Sequence, residues 1–370
     1  MSPDDQIGHR LSFVASQLGT VLNQDTTNTN DDLTSRWLSQ IVAPTGLYLR
    51  LVPGVEFACY GFVGFDLGDW TMAIRNLLIA LSMGLCVSER TIADDAEDRV
   101  VASVDKDHGE IVRDQTKPNK PIIAVSLNNS GIKDTWFKKL AALPYLQRLT
   151  LLNCQIDDAS WKELVGLSNL TDLSLIHADV TDARLGQLVR LKNLRKLDIS
   201  LNKVTDVGMK ELARLTSLTK LNLGMTEVSD AGMEELAKLT SLTDLHLGGT
   251  EVTAKGLRRL APLKNLQQLD LTFEGATDES LKEVAPFSKL VDLNLAFTNV
   301  TDEGLRYLVR LKNLQRLNLF CSSVTDTGLK ELAKLSNLTE LRLVTDRQHV
   351  TDRGVAWLQK ALPKCKIILD

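Results

Sequence analysis

The sequence is poor in aromatic residues, at 5 % of 370 positions, so any sizeable core must be built from aliphatic side chains. Its five cysteines, Cys59, Cys86, Cys154, Cys321 and Cys365, are scattered with no CxxC pair, which removes the zinc-knuckle and thioredoxin-type readings. There is no surplus of one charge: 43 bases face 47 acids, and beyond residue 93 the two signs are interspersed and balance. A nucleic-acid partner would leave a basic footprint, and none is present. No Walker motif, no GxGxxG after a strand and no HExxH occurs. No apolar run reaches the roughly 20 residues that a membrane-spanning helix needs. The first 93 residues contain no lysine at all, a composition shift that separates them from the rest of the chain.

What the sequence has in abundance is leucine at fixed spacing. The pattern LxxLxL starts at Leu146, Leu170, Leu194, Leu218, Leu242, Leu266, Leu290, Leu314 and Leu338, each 24 residues after the last, with Ile199 in the last slot of the third copy. One step earlier, Ile122, Val125 and Leu127 fill the same slots. The second half of each repeat is equally regular: Val204-Thr205-Asp206, then Gly208-Met209, Leu212 and Leu215. A Thr or Ser before the apolar run suits a helix N-cap, and the Asp after it sits at the positive end of the helix dipole. Met209, Leu212 and Leu215 recur at helical spacing. Each repeat therefore predicts a short strand, a turn and a short helix. One unit cannot bury its own apolar stripe, but a stack of them can.

The consensus LxxLxLxxTxVTDxGLxxLxxL resembles the leucine-rich repeats of secreted bacterial proteins. Its layout is similar to that of the internalins and of the cysteine-containing repeats of F-box proteins, whose repeat lengths differ. The resemblance covers roughly residues 120–370. It implies an α/β leucine-rich-repeat solenoid, with a curved parallel sheet on the concave face and short helices on the convex face. One slot departs from the usual asparagine ladder, reading Cys154, Ala178, Asn202, Thr226, Thr250, Glu274, Thr298 and Ser322. Thr can bond the turn backbone; Ala178 cannot.

The expected organisation has five parts. Residues 1–71 form an N-terminal extension without repeat or motif. Residues 72–93 have the parts of a signal peptide: Met72 to Arg75, an apolar or small run from Leu77 to Val87, and a small-x-small exit at Thr91-Ile92-Ala93. The expectation is that translation starts at Met72 and that the mature chain begins near Asp94, secreted or periplasmic; a start at Met1 would leave it cytoplasmic. Residues 94–121 make an N-terminal cap with a helix near Ala96–Val104 and a strand at Glu110–Arg113. Residues 122–345 are the repeats. Residues 346–370 hold the last repeat and a C-terminal cap, with a turn lengthened by two residues at Arg347–His349 and a closing strand at Ile367–Leu369.

Candidate chemistry lies in the strand columns. The slot between the last two leucines reads Ser126, Thr150, Ser174, Asp198, Asn222, His246, Asp270, Asn294, Asn318 and Arg342. Strands about 4.8 Å apart make His246 a neighbour of Asp270, which is half of a hydrolase triad, with Thr272 the nearest hydroxyl. His177 is three repeats from His246, roughly 14 Å by the same spacing, too far to share a metal ion. Cys154 and Cys321 are seven repeats apart, about 34 Å, which excludes a disulfide. A second column, Arg148, Asp172, Lys196, Lys220, Asp244, Gln268, Asp292, Arg316 and Glu340, has mixed sign and reads as a solvated strand face or a specificity surface. Just past the strands, Phe273 and Phe297 share a column with Leu201 and Met225, and Phe320 lies one slot earlier. Two readings stand: an exposed binding cluster, or core tucked into the turns.

The reading is a non-enzymatic module that binds a protein or other macromolecule on its concave face. Leu201, Met225, Phe273, Phe297 and Phe320 would be the anchors, and His246, Asp270, Asn294, Asn318 and Arg316 the polar rim. No cofactor, no metal, no nucleic acid and no membrane span is expected, and the chain is expected to be a monomer. The alternative is the substrate-recognition subunit of an F-box ubiquitin ligase, which needs an LP-led helical segment that residues 1–93 lack. A hydrolase using His246 and Asp270 is the third.

Overall fold

The structure, a computed structural model, describes residues 97–369 apart from 105, 107, 108, 129, 130, 133, 274, 321 and 345–348. The extension, the signal segment, Cys59, Cys86, Glu274 and Cys321 lie outside the described residues.

Leucine-bearing strands line up side by side in one sheet of twelve, in chain order. Helix spacing and strand spacing alternate along the sequence, so each strand Asp172–Ile176, Lys196–Asp198, Lys220–Asn222, Asp244–His246, Gln268–Asp270, Asp292–Asn294 and Arg316–Asn318 is followed by a helix or helical turn before the next. The 24-residue period becomes the register: Leu221 pairs with Leu245, Leu245 with Leu269 and Leu269 with Leu293. At the C-terminal end Leu341 pairs with Ile367, two residues beyond the period, so the last repeat is two residues longer in sequence.

The sheet is not parallel throughout. Glu110–Arg113 runs antiparallel to Ile122–Asn128. The connection between them is a short turn, with Asp114 accepting from the Thr116 amide at 3.0 Å and the Asp114 N–H donating to the Pro121 carbonyl at 2.9 Å. A parallel partner would need a crossover of a dozen residues or more, so the brevity of the joint reverses the first strand. Residues 97–104 are helical and bury Val100 and Val104 against this end.

Inside the stack the leucine columns are closed to solvent. Leu221, Leu245 and Leu269 are buried, as are Met209, Leu212 and Leu215 from the helical side. The asparagine-ladder slot is solved residue by residue. Thr226, Thr250, Thr298 and Ser322 each donate to the carbonyl three residues back, at 2.6–2.8 Å. Ala178 has no side chain for this, and Asn202 of the next repeat serves it instead. Its Oδ1 accepts from the Ala178 and Val180 amides, both at 2.9 Å.

On the helical side the Thr and Asp of the TD motif act across repeats. Asp206 Oδ1 accepts from the Ser229 and Gly232 amides, and its Oδ2 from the Ser229 hydroxyl. Asp230 does the same for Thr253 and Gly256. Asp182, Asp278, Asp302 and Asp326 bind Thr205, Thr301, Thr325 and Thr351 in the same way. The following glycine is explained by the same contact: a Cβ at Gly208, Gly256, Gly304 or Gly328 would strike that carboxylate oxygen. Where Asp is replaced by Ala254, Thr277 loses its partner. The Gly position then holds Ser280, whose hydroxyl accepts from the Thr277 amide at 3.2 Å.

Candidate interaction face

Residues that alternate with the buried leucines point away from the core and form the open face of the sheet. The polar column is a row of turn caps before it is anything else. Asp and Asn at the end of a strand can accept from the amide two residues on and start a turn. Asp198 accepts from Ser200, Asn222 from Gly224, Asp270 from Thr272, Asn294 from Ala296 and Asn318 from Phe320, at 2.8–3.2 Å. The amides of Asn222 and Asn294 also donate to Asp198 and Asp270 in the preceding strand, both at 2.9 Å. The sequence suggested candidate chemistry and a polar rim in this column, and the capping was not expected. Recurrence of Asp or Asn two residues before the turn was the available signal.

His246 and Asp270 do meet, with Nδ1 and Oδ2 3.7 Å apart. The Asp270 carboxylate is the main cause of a raised His246 pKa. Partial burial works the other way, and Asp198 and Asp244 add to the rise. Burial pushes Asp270 upward, but the donors from His246, Thr272 and Asn294 outweigh it and leave its pKa lowered. The Thr272 hydroxyl, which a hydrolase would need on the histidine, donates to Asp270 instead. Thr272 is therefore not placed as a nucleophile on His246.

The charged column resolves into ion pairs between adjacent repeats: Lys196 with Asp172 and Lys220 with Asp244 at 2.6 Å, and Arg316 with Asp292 at 2.8 Å. Over the C-terminal half of this face lies a shallow depression of about 340 Å³, lined by His246, Asp270, Asn294, Arg316, Asn318 and Arg342 among others.

Beside it runs the apolar column, and its backbone is unusual. Leu201, Met225, Phe273 and Phe297 have φ of 58°, 56°, 77° and 57°. These lie in the left-handed region, which costs an L-residue roughly 1–2 kcal/mol and which Gly or Asn visits readily. Asn153 and Gly249 in this column meet that preference, at φ 53° and 70°, and the Met225 thioether lies over Gly249; His177 shares the conformation at 50°. The four side chains are not repaid by burial: Leu201 is 50 % exposed, Met225 43 %, Phe273 39 % and Phe297 46 %. Phe273 stacks on Phe297 with centroids 5.9 Å apart, and half-buried Phe320 meets Phe297 edge-on at 5.1 Å. Phe273 and Phe297 are thus exposed rather than tucked into the turns as core, and Phe320 is half-buried.

A test of the backbone argument is Leu201→Asn. Relief of the left-handed strain should make the protein about 0.5–1 kcal/mol more stable, read as a higher urea midpoint. A loss of more than about 1 kcal/mol would show instead that the leucine side chain packs like core.

A family model described as Leucine Rich repeat matches residues 190–213, 214–237, 238–261, 288–309 and 310–333. These segments are leucine-rich repeats. The array as a whole resembles several solved structures. One is an internalin (inlF) from Listeria monocytogenes, with 20 % identity, 69 % of this chain and 91 % of that chain covered, and a TM-score of 0.43. Another is internalin C2 from the same organism, with 25 % identity, 58 % and 87 % covered, and a TM-score of 0.43. A third is the Arabidopsis receptor kinase HAESA, in complex with a peptide hormone and a co-receptor, with 18 % identity, 62 % and 40 % covered, and a TM-score of 0.42. No protein of curated function matches the chain in sequence. The matched segments hold His246, Asn294, Phe297, Arg316 and Asn318 of the open face and its border, while Asp270, Phe273 and Arg342 lie between or beyond them.

Proposed function

We propose that this chain is a non-enzymatic, exported protein-binding module, and that its partner docks over the C-terminal half of the open sheet face. One observation carries the reading: Leu201, Met225, Phe273 and Phe297 are bulky, apolar and exposed, at backbone positions that favour glycine. Strain and exposure both cost stability, and the stacking of Phe273 on Phe297 still leaves these rings 39 % and 46 % exposed. Residues held in such conformations concentrate at binding sites, and exposed aromatic clusters ringed by polar groups are the usual anchors of an interface. Asp270, Asn294, Asn318 and Arg316 form that ring.

The test is a titration of a partner isolated with the native chain. Phe273→Ser with Phe297→Ser should weaken binding tenfold or more, about 1.4 kcal/mol or above, while the thermal midpoint stays close to wild type. Unchanged binding by a folded double variant would remove the site. Export is tested separately by N-terminal sequencing of the natural protein. A chain beginning near Asp94 and recovered outside the cytoplasm is expected, and an intact cytosolic chain beginning at Met1 would exclude it.

A further inference from the structure

The depression beside the phenylalanines has an unequal hydrogen-bonding inventory. Its central carboxylate is already full. Asp270 Oδ1 takes the amide and hydroxyl of Thr272, and Oδ2 takes the Asn294 amide and faces His246. Asn294 is partly engaged, its oxygen capping Ala296 and one of its two amide N–H groups bonding Asp270.

The donors are in a different state. Arg316 is held to Asp292 through Nε at 2.8 Å, and Arg342 to Glu340 through Nε at 3.4 Å. Each guanidinium is anchored by one nitrogen, and both side chains remain open to solvent, at 41 % and 48 %. Among the described residues no acceptor is engaged by their Nη groups or by the side-chain nitrogen of Asn318, whose oxygen caps Phe320. Two guanidinium groups, each anchored through Nε, and a neighbouring amide therefore line the depression with donors unmatched among the described residues.

A guanidinium edge presents paired N–H groups that fit the two oxygens of a carboxylate, and such bidentate contacts are the stronger and more directional class of ion pair. The aromatic border begins two residues beyond Asn318, at Phe320, and continues to Phe297 and Phe273. The lining runs from the strand of His246 to the strand of Arg342. That is four strand spacings, roughly 19 Å, about the length of six extended residues.

We propose that the partner presents an extended segment in which an acidic side chain, Asp or Glu, lies next to a large apolar residue. The carboxylate pairs with Arg316 and Arg342, and the apolar neighbour seats against Phe297 and Phe320. The inference rests on the docking reading above and adds the chemistry of the bound segment. A basic segment is the less favoured partner, because Asp270 is saturated and Asp292 and Glu340 each already hold an arginine.

The experiment pans a random peptide library against the full chain, with every peptide tethered at both ends so that no terminal carboxylate is free. Recovered peptides should share an Asp or Glu adjacent to Leu, Ile, Met, Phe or Trp. Their affinity should fall at least tenfold with Arg316→Gln and Arg342→Gln together, and comparably with Phe273→Ser and Phe297→Ser together. Circular dichroism should show native melting for both double variants. Peptides rich in Lys or Arg, uncharged peptides, or full binding by the arginine variant would overturn the carboxylate assignment. The docking reading would survive that result if the phenylalanine variant still lost binding. Peptides indifferent to the phenylalanine variant, or a library with no binder at all, would overturn both.

Discussion

Leu245→Ala will lower stability by about 2–5 kcal/mol, the range for a fully buried leucine truncated in a packed core. Leu245 sits at the centre of the sheet with no exposure, and Leu221 and Leu269 flank it in register. Its removal leaves a cavity that neighbouring repeats cannot close, because their strands are tied to the same spacing by the backbone ladder. Asn222→Ala, one residue from Leu221 but on the open face, will cost only about 0.5–1.5 kcal/mol. That smaller figure reflects loss of the bonds from the Gly224 amide and to Asp198. Urea titrations of the two variants check this. Equal losses at both positions would mean that the inward and outward columns are exchanged.

The second large effect lies on the helical side. Asp230 accepts from the Thr253 amide, the Thr253 hydroxyl and the Gly256 amide at 2.7–2.8 Å. Asp230→Ala should cost about 1.5–3 kcal/mol, the range for hydrogen bonds to a charged group. Gly256→Ala should also destabilise. In an ordinary helix that change is favourable by roughly 1 kcal/mol, but here the new Cβ would strike Asp230 Oδ1 and break its bonds. The sign of the effect is therefore the test, and a more stable Gly256→Ala would refute the mechanism. The chain carries its own control: at Ala254 and Ser280 both halves of the contact are replaced together, so Gly256→Ser should recover part of the loss in Asp230→Ala.

The same carboxylate makes this contribution pH-dependent. Burial raises the Asp230 pKa, but the donors from Thr253 and Gly256 and the charge of Arg259 outweigh it and leave the pKa lowered. A carboxyl whose folded pKa lies below its unfolded value stabilises at neutral pH, and that stability is lost as pH falls through the folded value. The gap between wild type and Asp230→Ala should accordingly narrow in acid.

The repeat fold was legible in the sequence because it is local and periodic. Spacing alone identified which leucines face inward, where strands and helices alternate, and that Thr or Ser begins each helix. Steric alternation along a strand and the 3.6-residue turn of a helix act within a few residues, so 24-residue recurrence carries them without any knowledge of the stack. Contacts that cross from one repeat to the next were decided only by the tertiary structure. The TD motif read as a cap and a dipole partner within one helix, but its Asp serves the next helix, 23 to 26 residues on. The Asp and Asn column read as the polar rim of a binding face and also caps turns. The parallel sheet became antiparallel at its first strand because a short joint leaves no room for a crossover. The phenylalanines show the division most clearly. Sequence placed Phe273, Phe297 and Phe320 side by side but could not tell surface from core, since an apolar residue after a strand suits either. Phe273 and Phe297 leave the turn at a left-handed φ, where their amides donate to the Ala296 and Phe320 carbonyls of the next repeat at 3.0 and 2.7 Å. These bonds exist only once the repeats are stacked.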